Sequence, residues 1–105
     1  MTSFVRSSSG TINASGQNVA QINDANIQPT LHLSGTLVGT VQLVGAPTGS
    51  GNFQPIIPLG QTTPNITASG LYAFPFIGGS YDFQVTSTAF TSGSSVATIS
   101  FGPRT

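Results

Sequence analysis

Four residues carry a formal charge at neutral pH, Arg6, Asp24, Asp82 and Arg104, and one imidazole, His32, joins them. General acid–base, nucleophilic and metal chemistry all draw on such groups. His32 stands between Leu31 and Leu33, so in an extended chain it points away from both. That is the position of a solvated or interface residue. Asp24 falls in an irregular polar stretch and suits turn bonding. Asp82 belongs to the outer face of an alternating segment, where it can pair with Arg6 or Arg104; such an exposed pair adds at most about 1 kcal/mol. One His and two Asp cannot complete a chelating set, and Cys is absent. The loop Gly45 to Asn52 holds several glycines but no Lys, and no helix follows it. A phosphate cradle needs both. The expectation is a protein without catalysis, metal or cofactor.

Asp, Glu, Lys and Arg make up 4% of the 105 residues, where a soluble domain usually has about 25%. The polar surface must be built from Ser, Thr, Asn, Gln and backbone. Such a surface is solvated but lacks the charge repulsion that keeps copies apart. It suits a protein packed against other protein. The chain has no Lys and a net charge of zero, which leaves nucleic-acid binding without electrostatic footing. Met1 to Arg6 lacks the basic start and apolar run of a signal peptide, and no stretch approaches a membrane span. The protein is therefore expected to be made in a cytoplasm. The sequons at Asn13 and Asn65 read as chance in a chain so rich in Asn, Ser and Thr.

Thr, Val, Ile, Phe and Gly abound while the usual surface helix formers are nearly missing. Thirteen Gly and seven Pro divide the chain into lengths typical of strands. Residues 1–9 read as an extended N-terminal arm, with Phe4 and Val5 before a flexible joint at Ser7 to Gly10. Residues 10–105 read as one domain. Within it, Thr11 to Ala14 reads as a short strand, and Ser15 to Gln28 as a polar segment crossing a sheet edge. Thr30 to Ser34 and Thr36 to Val44 alternate well enough for a hairpin with its break at Ser34-Gly35. Leu33, Leu37, Val41 and Leu43 face the core. Phe53 to Leu59, interrupted by Pro55 and Pro58, reads as an edge strand, followed by short strands at Asn65 to Ala68 and Leu71 to Ile77. Tyr81 to Thr86 and Val96 to Phe101 read as a second hairpin, turned at Thr91 to Ser95, with Phe83, Val85 and Ile99 inside. Tyr72, Phe74, Phe76, Tyr81 and Phe83 read as core or subunit interface rather than a sugar platform. About seven or eight short strands exceed what one flat sheet can cover. The expected fold is all-β, an antiparallel two-sheet β-sandwich, the jelly roll being one form of it.

Several segments carry a resemblance. Leu33 to Leu43 follows the form SGTxxGTV, then comes the Gly-rich loop Gly49-Ser50-Gly51-Asn52 and the aromatic Phe53. Ala68-Ser69-Gly70-Leu71-Tyr72 and the run Tyr81 to Val96, with its aromatic-Thr-Ser-Gly element Phe90-Thr91-Ser92-Gly93, complete it. Across residues 30–101 the chain resembles small β-sandwich structural proteins of tailed bacteriophages. It departs from them at Thr48 to Gly51, where an acidic loop is common, at Phe53, where they often have Trp, and near Gln84, where Arg is frequent. The resemblance implies a virion component: a capsid decoration or cement protein bound to the major capsid protein or another virion structural protein, and assembled with itself as a homotrimer. The alternative is a tail or baseplate accessory or a carbohydrate-binding adhesion module. Phe4, Val5 and Arg6 are the expected assembly contacts, because the two apolar residues have no core of their own.

Overall fold

A computed structural model describes residues 6–25, 29–75 and 81–101. Six strands account for most of them: β1 (Arg6–Ile12), β2 (Gln17–Ala25), β3 (Thr30–Pro47), β4 (Gln54–Ile56), β5 (Gly70–Ala73) and β6 (Tyr81–Phe101). No helix occurs among the described residues. All six strands belong to one sheet in the order β1-β6-β3-β4, with β2 also on β6 and β5 also on β3, and every pairing is antiparallel.

Two strands are far longer than the sequence led us to expect. The hairpins read at Ser34-Gly35 and at Thr91 to Ser95 do not form. The chain continues through both without reversing, giving β3 its 18 residues and β6 its 21. The reason lies in the register. Ser34 to Val38 pair directly with Val96 to Ser92, so each supposed turn is occupied by the partner's ladder. Gly35 (φ +85°) and Gly93 (φ +119°) sit nearly opposite one another and bend both strands together. Two register shifts, at Val38/Gly39 and Thr40/Val41, leave Thr91 and Thr88 as extra residues in β6; bulges of this kind sharpen the bend.

The bend folds the sheet over itself. At about 3.3 Å per residue a straight 21-residue strand would run to roughly 69 Å, whereas the molecule's longest dimension is 42 Å. One half contains β1, β5 and the adjoining ends of β3 and β6. The other contains β2, β4 and the remaining ends. Leu31, Leu33, Ala97 and Ile99 from the first half and Val41, Leu43, Phe83 and Val85 from the second form one buried cluster with Ile12, Ile22, Ile66 and Phe74. What the sequence suggested as two sheets is, in the described ladder, a single sheet whose halves share a core. Six of the seven expected core residues are fully buried; Leu37 is half-buried against the cluster.

Ser7 to Gly10, read as a joint, are part of β1 and pair with Ser100 to Ala97. Their small side chains have a structural use. Gly10 turns inward beneath the Val19 carbonyl, where a Cβ would collide with the oxygen, and Ser8 Oγ accepts the Gln21 N–H at 3.3 Å. These contacts close the β1/β2 side. The polar stretch that contains Gln17 to Ala25, read as an edge crossing, is strand β2 on β6; only Ala20 and Ile22 mark its inner face. Of the pair of strands read at 65–68 and 71–77, the first is an isolated bridge, Ile66 to Val41, and the second is the four-residue β5.

Candidate assembly surface

His32 lies near the start of β3, exposed, between Leu71 on one side and Thr98 on the other. It faces outward, as the alternation of Leu31 and Leu33 required. Asp82 has its Oδ2 accepting the Gly49 N–H at 3.1 Å, which ties the loop after β3 to the sheet. The side chain of Asp24 lies outside the described residues. Among the described residues no group of three or more His, Cys, Asp or Glu comes together. His32 and Asp82 stand at opposite ends of the β3/β6 ladder, opposite Thr98 and Ala46. What the fold presents over larger areas is neutral surface of three kinds.

The outer face of the first half is a field of hydroxyls. Reading across strands, Ser7, Ser100 and Thr30 form one row, Ser9, Thr98 and His32 the next, and Thr11, Val96 and Ser34 a third. Alternation puts them there, since Leu31, Leu33, Ala97 and Ile99, which intervene on β3 and β6, are in the core. The outer face of the second half carries a set of bonded amides. Gln21 Oε1 accepts from Gln84 Nε2 at 3.2 Å and from Asn18 Nδ2 at 3.2 Å, while its Nε2 donates to Asn23 Oδ1 at 2.6 Å. Gln42 Nε2 donates to Asn65 Oδ1 at 2.8 Å. Locking the amides to one another presents a flat polar surface at small further entropy cost on contact.

The third surface is apolar and follows the β4–β5 side. Leu71 is 74% exposed, Leu59 55% and Ile57 44%, three of the five large exposed apolar residues among the described residues. The Leu59 N–H donates to the Ala73 carbonyl at 2.9 Å, which lays the loop after β4 alongside β5. Beside β4 an open groove of about 310 Å³ is lined by Pro47, Asn52, Gln54, Pro55, Ile56 and Tyr81. Of the five aromatic residues singled out in the sequence, Phe74 and Phe83 are buried, Tyr72 and Tyr81 are half-buried, and Phe76 lies outside the described residues. Tyr81 packs on Phe83 with ring centroids 6.2 Å apart and planes tilted by 39°.

Of the contact residues expected from the sequence, Phe4 and Val5 lie outside the described residues. Arg6 opens β1 opposite Phe101, and its side chain is also outside them. Leu71, Leu59 and Ile57 were missed. The signal for Leu71 was present: alternation with the inward Tyr72 and Phe74 leaves an apolar residue facing out, where the surrounding pattern places Thr, Ser or His.

No family model matches the chain, and no curated protein matches it in sequence. Among solved structures the chain is similar to the SPBc2 prophage-derived protein YomS, with a TM-score of 0.59 and 13% identity, covering 91% of this chain and 93% of that one. At such identity the likeness is one of fold. The described sheet therefore has the fold of a prophage-derived protein.

Proposed function

We propose that the protein is a non-enzymatic structural component of a bacteriophage particle, a capsid decoration or cement protein bound to the assembled head. The observation that carries the reading is the surface: hydroxyl and amide faces joined by an apolar edge, in a chain with four formal charges. Such surfaces form contacts by neutral hydrogen bonds and apolar burial. The fold likeness to a prophage-derived protein supports the phage setting. The partner in this reading is the major capsid protein or another virion structural protein, and the protein acts in the virion after synthesis in the host cytoplasm. Phe4 and Val5, ahead of β1, are proposed to contribute to that contact.

A salt wash tests this. Screening weakens exposed ion pairs and scarcely touches apolar or neutral contacts, so shells loaded with the protein should retain it through a wash at about 1 M salt. Deleting residues 1–5 should lower occupancy with the sheet intact. The deletion stops before Arg6, because removing residues 6–9 would take more than half of β1. Release of the full chain by salt alone would overturn the reading.

One observation favours a tail or baseplate accessory that binds carbohydrate. The groove beside β4 combines an aromatic ring, Tyr81, with the amides of Asn52 and Gln54, the residue types that stack on and hydrogen-bond a sugar. Copy number in the particle separates the two readings.

A further inference from the structure

Strand β5 is an edge with one open backbone position near its middle. Among the described strands it pairs only with β3, Thr30 opposite Ala73, Leu31 opposite Tyr72, His32 opposite Leu71 and Leu33 opposite Gly70. In an antiparallel ladder alternate residues turn both backbone groups toward the partner, and those between turn both away. The Ala73 carbonyl accepts the Leu59 N–H from outside the ladder, so Ala73 belongs to the outward set. Leu71, two residues earlier, belongs with it. A second count agrees. On the same side of β3, Val41 exchanges both its bonds with Ile66, at 2.8 and 2.9 Å. The bulges lie in β6, so stepping back by twos along β3 reaches Leu33 and Leu31 as the residues turned toward β5. Leu71 is again left with its N–H and C=O directed outward, and no described residue meets them.

We propose that β5 is where a second copy of this chain adds, edge to edge and antiparallel, about a two-fold axis through Leu71. A single outward residue is self-complementary under that symmetry: opposite its own copy, its N–H and C=O exchange both bonds. The two β5 strands then join the two sheets into one. Among the described residues the edge is covered only at Ala73, by the Leu59 loop. Natural sheets blunt their edges with Pro, charge or a bulge; β4 has Pro55, whereas Gly70-Leu71-Tyr72-Ala73 has none of these. The exposed side chains suit the same arrangement. Leu71 meets its own copy across the axis, with Leu59 on the loop that bonds Ala73 close by on each side. A chain of zero net charge meets no repulsion from its copy. The strands are short, so the contact falls below the about 1,200 Å² of a standard stable interface. The dimer is accordingly weak in dilute solution and favoured where copies are held close together. This symmetry differs from the homotrimer implied by the resemblance, and it is read in purified protein, independently of whether the chain binds a phage particle.

The chain has no Cys, which makes the test clean. A hydrogen-bonded antiparallel pair holds its Cα atoms about 5.5 Å apart, within the range a disulfide spans. Under mild oxidation L71C should yield a covalent dimer at least about tenfold faster than V38C, which is exposed at the bend. L71K, which places like charges on the axis, should weaken self-association in sedimentation equilibrium by about tenfold or more while circular dichroism stays unchanged. Cross-linking of L71C no faster than V38C would overturn the proposal. So would a wild-type chain that sediments as a monomer up to about 1 mM or as a trimer. Should the edge accept only an extended segment of a different protein, both the cross-link and the self-association will be missing.

Discussion

Replacing Gly35 by Ala is expected to destabilise the fold by about 3 kcal/mol or more. Two effects add. The backbone there has φ +85°, a conformation that costs an L-residue roughly 1–2 kcal/mol. In addition the new Cβ would collide with the Ser94 carbonyl, a backbone atom of the paired strand that cannot swing aside. Gly93 stands in the same relation to the Thr36 carbonyl, so the two glycines allow the long strands to approach and bend together. Urea titration followed by circular dichroism should show a midpoint lowered in proportion, or no folded baseline. A change within about 0.5 kcal/mol, as for an ordinary surface substitution, would mean that the strands do not meet there as described.

Phe83→Ala is expected to cost about 3–5 kcal/mol, by lost burial and the cavity left behind. Phe83 is 2% exposed and belongs to the cluster shared by both halves of the sheet. Its ring also packs against Tyr81 and against the open side of Gly45. Because one core serves both halves, the variant should unfold in a single transition that is the same by every probe. Two separated transitions would contradict the shared core, and a loss below about 1 kcal/mol would contradict the facing assigned to Phe83.

Facing was the most legible feature of the sequence. Leu31 and Leu33, Val41 and Leu43, Phe83 and Val85, Ala97 and Ile99 all alternate with polar residues, and the fold buries all eight. Alternation records which side a residue faces and needs no knowledge of its partner. Strand ends were less legible. Ser-Gly and Thr-Ser-Gly look alike whether they reverse a chain or bend it. The difference at Gly35 and Gly93 lies in the residues paired across from them, about sixty positions away in sequence. Strand β2 was hidden for a related reason, since among its described side chains only Ala20 and Ile22 are buried. Pro55 marked β4 as an edge because a residue without an N–H must stand where no ladder bond is needed.

The candidate surface was legible in kind and not in place. Four charges among 105 residues predicted a surface of hydroxyls and amides, and the strand pairing places most of the described hydroxyl rows on one half and the bonded amides on the other. Which apolar residues stay outside depends on which strand ends at an edge. Leu71 and Leu59 stand out only once β5 is seen to pair, among the described strands, with β3 alone and the loop after β4 is seen to run beside it.

The central functional claim is that this chain is built into a phage particle as a structural part of its head. Quantitative mass spectrometry of purified particles, with the major capsid protein as internal standard, tests it most directly. A decoration protein occupies a repeated lattice position and should be present on the order of hundreds of copies per particle. A handful of copies would move the protein to the tail and favour the carbohydrate reading of the Tyr81 groove. Its absence from particles that are otherwise complete would contradict the account.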